Sequence, residues 1–297
     1  MSKKVQVNPD GSTRVVRSRA GEIWHQFKKN KGAMVGLVII ILIILVAIFA
    51  DQLWSYKEVV TKPNVKFKLS GYTKEHPIGT DNLGRDMLAR IGYGTRYSLL
   101  IGSATTLIAI IFGTTLGAIA GYYGDPIETI IMRFVEIFIL IPGLLFMMVV
   151  VAAFGNSIGV LIAALGCTTI PYFARTARSS VLTVRANEYV EAAKAIGASD
   201  VHIIFKHILP NALSPIIVQV TLTVASNIVA AAGYSFLGIG VSAPTPEWGL
   251  LLSEGRGYMR QNPELTLFPG LAIMITVLAL NLIGDGIRDA LDPKLRR

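Results

Sequence analysis

Long apolar runs separated by short polar segments set the pattern of this chain. A helix needs about 20 apolar residues to cross the hydrocarbon core of a bilayer, because it rises about 1.5 Å per residue and must satisfy every backbone polar group internally. The first charge-free run, Gly32 to Ala50, holds thirteen Leu, Ile, Val and Phe residues. At roughly −0.3 to −0.6 kcal/mol each near a helix centre, its insertion gains on the order of 4 to 8 kcal/mol. It exceeds the apolar region of a typical signal peptide, and no A-x-A-like cleavage site follows at Phe49 to Leu53, so residues 32–50 read as a retained anchor.

Four further runs follow. Tyr97 to Gly124 fits one span, and Ile137 to Ala174 is too long for one crossing. The interruption at Gly155, Asn156 and Ser157 divides that run into two helices joined by a tight turn. Ala212 to Phe236 and Leu265 to Gly284 complete a set of six expected spans. Pro142 and Pro171 are expected to kink or end helices, since each removes a backbone donor and crowds the preceding turn. Gly113, Gly117 and Gly121 recur every four residues and leave a groove for a neighbouring helix, either within this subunit or on a partner. Trp54, Tyr97, Tyr122 and Tyr123 lie near span ends, where amphipathic rings anchor at the interface.

Composition agrees with this reading. Of 297 residues, 52% are hydrophobic and 16% charged, against about 25% charged in soluble domains. The basic residues place the ends, because cytoplasmic loops carry the Lys and Arg excess. With the N-terminus inside, eighteen of the twenty-eight fall in cytoplasmic segments. The expected organisation is a basic cytoplasmic segment (1–31), the anchor (32–50), an extracytoplasmic loop with an amphipathic segment (51–96), a five-helix core (97–287) and a cytoplasmic tail (288–297). The net charge of +9 forms no stripe with interleaved aromatics, so nucleic acid is not an expected partner.

Candidate chemistry is sparse. The lone Cys167 reads as a small core residue, and His25, His76, His202 and His207 show no zinc spacing, so no metal, catalytic or cofactor-binding residue is expected. Gly79 to Arg85 is no phosphate loop, because Arg85 and Asp86 stand where a Gly-Lys-Ser/Thr sequence is needed. Arg133 and Glu136, three apart, can pair on one helix face. Ionisable groups deep in the spans are scarce, which argues against a proton-coupled carrier. Asn227 and Asn281 are the candidates for lining a pathway, with interhelical hydrogen bonding as the alternative role.

The segment from Glu188 to Asn211 reads as an elbow. Residues 188–196 are helix formers, Gly197 can take the left-handed conformation that ends a helix, and Ser199 or Asp200 can cap a second one. Ala192 and Ala193 present a small face for close approach by another protein, and Pro210 is expected to end the second helix. Glu191, Ala192, Ala193, Gly197, Leu209 and Pro210 match the EAA-x3-G-x9-I-x-L-P signature, and here the chain resembles the membrane subunits of binding-protein-dependent ATP-binding-cassette (ABC) importers. His207 replaces the isoleucine, which looks ordinary in the peptide branch. His76 to Gly102, HPIGTDNLGRDMLARIGYGTRYSLLIG, resembles the stretch ahead of the second span in C-type subunits of dipeptide, oligopeptide and nickel importers. The GYYGD run from Gly121 to Asp125 looks familiar from the same family.

This resemblance implies an all-α integral membrane fold like that of type I (MetI-like) importer permeases. It implies a coupling helix within 186–210, with Tyr189, Glu191, Ala192, Ala193, Ile196, Gly197, Ala198, Leu209 and Pro210 as ATPase-docking residues. It also implies partners: a homologous second permease, two ABC ATPases that bind the ATP and Mg, and an extracytoplasmic solute-binding protein. The implied substrate is a peptide, with nickel as the alternative, and the implied location is a bacterial or archaeal cell (inner) membrane with both termini cytoplasmic. A secondary transporter, a channel and an exporter subunit are the rival classes.

Overall fold

The computed structural model describes residues 4–7, 13–16 and 19–291. Lys4–Val7 and Thr13–Val16 pair antiparallel as a short ribbon, and beyond it the architecture is helical, as an all-α membrane protein requires. Residues 292–297 of the expected tail lie outside the described residues.

Helix α1 (Arg19–Phe27) leads through Asn30, whose side chain caps the next helix at the Ala33 N–H, into α2 (Lys31–Leu53). There follow α3 (Met87–Tyr123), α4 (Ile127–Leu140), α5 (Gly143–Phe154) and α6 (Ile158–Arg185). Then come α7 (Glu188–Ala195), α8 (Asp200–His202), a π-helical stretch Ile203–Ile208 and α9 (Leu209–Phe236). The last are α10 (Trp248–Gly255) and α11 (Glu264–Leu291). Five continuous helical segments are long and apolar enough to cross a membrane, and α4 with α5 forms a sixth that bends by 86°. Pro142 sits at that bend, ahead of the first turn of α5, where its missing N–H leaves the α4 ladder nothing to continue with.

Three boundaries differ from the sequence expectation. The amphipathic segment before the second span is not a separate helix: Asp86 caps α3 at the Ala89 N–H, and α3 runs unbroken from Met87 through the membrane-length stretch. The third span starts at Ile127, so Arg133 and Glu136 belong to it and pair at 3.4 Å on its exposed face. Pro210 does not end a helix. It occupies the first turn of α9, and the π-helical stretch ahead of it shifts the ladder so that the Leu209 N–H reaches the Ile204 carbonyl, relieving the clash that proline makes with a regular preceding turn. Pro171 likewise lies inside a continuous α6.

Helix directions follow from the contacts. Arg96 of α3 donates to the Ile48 carbonyl (2.8 Å) and to Asp51 (2.7 Å) near the end of α2, so α2 and α3 are antiparallel. Helix α6 runs parallel to α3. A methyl group at Gly113 would lie 2.6 Å from the Ile170 carbonyl oxygen, one at Gly121 2.9 Å from that of Arg178, and one at Gly117 would collide with that of Ala174. The glycine face therefore packs within this subunit. Helix α9 is antiparallel to α3, with Ile228 against Gly102, and α11 returns so that Asp289 accepts from Asn30 at 2.9 Å. The start of α2, the end of α11 and the elbow after α6 consequently share one end of the bundle.

Candidate functional site

The elbow is built by a backbone motif. Gly197 has φ +79°, its N–H donates to the Lys194 carbonyl at 2.9 Å, and the Ala198 N–H donates to the Ala193 carbonyl at 3.1 Å. These are the two bonds of a Schellman ending, which leaves α7 through a left-handed residue and turns the chain sharply. Ser199 precedes α8 without a side-chain capping bond, and Asp200 does not cap either. Its Oδ1 accepts from the Tyr122 hydroxyl at 2.6 Å, and the Lys194 ammonium lies 4.9 Å from the Tyr122 ring centroid. Tyr122, expected as an interfacial anchor, is a buried strut between α3 and both arms of the elbow.

The burial pattern divides the docking candidates. Val190 and Ala193 of α7 pack with Ala118, Tyr122, Val181, Ile203 and Ile208, and Ala198 and Leu209 lean on the same cluster. Ala193 is only 6% exposed, so the small face expected from Ala192 and Ala193 together is outward only at Ala192. The correction has a simple cause: Ala193 lies three residues after Val190, so it shares the side of α7 that Val190 turns into the core, while Ala192 points about 100° away from it. The outward side carries Glu188, Tyr189, Glu191, Ala192, Ile196 and Gly197, with Val201 and Phe205 on the second arm and Pro210 at its end. Ile196 is 85% exposed. Ile196, Val201 and Phe205 thus form an exposed apolar set on an otherwise polar connection.

A cleft of about 530 Å³ opens where α4 and α5 bend away from α6 and α9. Its polar wall comes from Thr168, Thr169 and Tyr172 of α6 and from Gln219, Thr223 and Ser226 of α9. Asn227 borders it and also knots three helices, donating to Thr106 Oγ1 at 3.0 Å and accepting from Thr169 Oγ1 at 3.3 Å. The interhelical hydrogen bonding considered for this residue is thus present, and its side chain also borders the cleft. Asn281 lies half-buried on α11 and is not among the residues bordering the cleft. A second cleft of about 510 Å³, nearer the elbow, is lined by Arg175, Thr176, Ser179, Thr183, Asn211 and Pro215. The spacing of Gln219, Thr223, Ser226 and Asn227 in an otherwise apolar run was the available signal for this wall.

At the far end of the bundle a buried ionic cluster joins the loop before α3 to α10. Asp81 Oδ2 accepts from Arg85 Nε and Arg90 Nη1, both at 2.6 Å, and Glu254 Oε2 accepts from Arg90 Nη1 at 2.6 Å. Gly79 and Gly84 supply the positive-φ turns that bring Asp81 inward. At the opposite end of α10 from Glu254, Glu247 caps the helix with both carboxylate oxygens, at the Gly249 and Leu250 N–H groups (2.9 Å each), and burial pushes its pKa up from the ordinary value. Among the described residues no cluster of three or more His, Cys, Asp or Glu side chains can hold a metal.

Comparison with known proteins places the chain. Residues 113–297 match the family described as binding-protein-dependent transport system inner membrane component, and residues 18–69 match the N-terminal transmembrane domain of oligopeptide transport permease C. The chain is 48% identical over 275 residues to the dipeptide transport system permease protein DppC of Alkalihalophilus pseudofirmus, covering 93% of this chain and 90% of that protein. It is 40% identical over 281 residues to the glutathione transport system permease protein GsiD of Pectobacterium atrosepticum, covering 95% and 93%. A chain of the inward-facing MetNI methionine ABC transporter superposes with a TM-score of 0.59 at 19% identity, over 69% of this chain and 98% of that one, which shows a shared fold. The chain therefore belongs to the family of inner membrane components of binding-protein-dependent transport systems, as a multi-pass permease subunit of the ABC importer class.

Proposed function

We propose that this permease carries peptides inward, forming half of a translocation pathway with a homologous second permease, and that both its termini and the elbow face the cytoplasm. Two ATPase subunits dock on the outward side of the elbow, at Tyr189, Glu191, Ala192, Ile196 and Gly197. They bind the ATP and Mg, and this chain catalyses nothing itself. An extracytoplasmic binding protein delivers the solute to the opposite end.

The observation that carries this reading is the elbow. Its inner side is wedged into the chain's own core at Val190, Ala193 and Ile203, while its outer side leaves Ile196, Val201 and Phe205 in solvent. A lever must be rigid toward the load and open toward the motor, and this segment has both properties. Peptide as the solute is supported by the relatives' names and by a cleft wall of hydroxyls and amides, which exchange hydrogen bonds with peptide groups without demanding charge.

The test is ATP-driven uptake of a radiolabelled dipeptide by the complete importer in proteoliposomes. Ala192→Trp and Ile196→Asp are expected to lower uptake at least about tenfold while the two permeases still purify together. Unchanged uptake in both variants, or uptake that survives removal of ATP, refutes the reading.

A further inference from the structure

We infer that Arg175 is a carboxylate-recognition residue in the inner half of the pathway, taking the C-terminal carboxylate of a peptide in transit. The inference rests on the pathway reading above and adds to it a residue that selects the solute.

Thr168, Tyr172, Arg175, Ser179 and Thr183 follow one another at spacings of three and four along α6, which puts them on one face. Thr168 and Tyr172 border the cleft at the α4–α5 bend, and Arg175, Ser179 and Thr183 border the cleft nearer the elbow. Asn211, Pro215, Gln219 and Thr223 of α9 face the same two clefts. The two clefts therefore share walls along a polar track. Arg175 is the charged residue among those bordering either cleft.

Arg175 is also uncompensated. It borders a recess with Glu128, Arg133, Glu136 and Arg178, yet those four satisfy one another: Arg178 Nε donates to Glu128 at 2.5 Å and Arg133 Nη1 to Glu136 at 3.4 Å. Arg175 makes no ion pair or hydrogen bond among the described residues. A guanidinium offers five donors in a planar fork matched to a carboxylate, and such a pair is shorter and stronger than a neutral hydrogen bond. The reach fits a small peptide. Asn227 and its partner Thr169 mark the level of the first cleft, and Arg175 lies six residues further along α6, about 9 Å at 1.5 Å per residue. An extended dipeptide spans about 7 Å, and the arginine side chain covers the remainder.

The experiment uses the complete importer in nanodiscs without its binding protein, with dialanine and dialanine amide as probes. The wild type is expected to bind the acid about tenfold more tightly than the amide, R175Q to bind the two alike, and R175K to keep part of the preference. A preference that survives R175Q overturns the inference, as does a wild type with no preference, including one that binds neither probe. Loss of the assembled complex in R175Q without any acid preference in the wild type also overturns it, because Arg175 then pairs with the second permease. Thr223→Trp separates the two claims. If it blocks uptake while the R175Q result is negative, the pathway stands and the carboxylate assignment falls; if uptake is normal, the pathway reading fails as well.

Discussion

The Tyr122 hydroxyl donates to Asp200 at 2.6 Å, tying the end of α3 to the second arm of the elbow seventy-eight residues later in the chain. This bond links the elbow directly to the helix that carries the glycine face. Tyr122→Phe removes it while keeping the ring under Lys194. A hydrogen bond to a charged group is worth about 1.5–3 kcal/mol, and exposure of Asp200 places this one at the low end. The expected outcome is an assembled complex with near-normal ATP hydrolysis and severalfold fewer solutes moved per ATP, measured in proteoliposomes. Uptake and hydrolysis falling in equal proportion would show that Tyr122 only stabilises the fold.

The glycine face gives a second prediction. Gly117 meets the Ala174 carbonyl with no room for a side chain, and overpacking a tight contact costs about 1–3 kcal/mol or more. Gly117→Leu is expected to abolish recovery of folded permease, and Gly113→Ala to lower its thermal midpoint by several degrees. Gly159, which meets nothing within 4 Å, is the control: Gly159→Ala should leave the midpoint unchanged.

At the end of the bundle away from the elbow, Asp81 answers two buried arginines, one of them fully shielded. Removing one partner of a buried pair costs about 3–5 kcal/mol, because it strands the other charge. Asp81→Asn is therefore expected to destabilise the subunit far more than Glu58→Gln, whose pair with Lys62 is solvent-exposed and worth about 0–1 kcal/mol. Thermal unfolding of the two purified variants measures the difference.

Burial raises the pKa of Glu247 in the folded chain above its unfolded value. The folded state then holds this proton more tightly, so the stability it contributes is full below the ordinary carboxylate range and is lost as pH rises through the raised value. Thermal midpoints across that window are expected to fall with rising pH in the wild type and to fall less in Glu247→Gln. Equal slopes would contradict the assignment.

Much of this architecture is written locally. The apolar runs set the number of crossings, Pro142 marks the bend, and Gly197 marks the elbow, because each depends on a length, a missing donor or a backbone angle that one residue imposes. What the sequence did not disclose depends on residues far apart in it. Whether Ala193 faces in or out is settled by Val181 and Ile203, and whether Tyr122 anchors in lipid or braces the elbow is settled by Asp200. Arg90 reads as part of a basic outer loop until Glu254, 164 positions later, closes on it. The polar wall of the cleft was partly visible as the Gln219, Thr223, Ser226 and Asn227 spacing, but its opposite side needed the fold.

The central claim is that the outward side of the elbow grips a separate motor on the inner side of the membrane. In a Cys167→Ser background, a cysteine placed at Ile196 can be tested in cells for crosslinking to the ATPase subunits and for labelling by a membrane-impermeant maleimide. The account expects a crosslink to an ATPase and no labelling until the membrane is opened. Labelling in intact cells, or crosslinks confined to this subunit in the assembled importer, would contradict it.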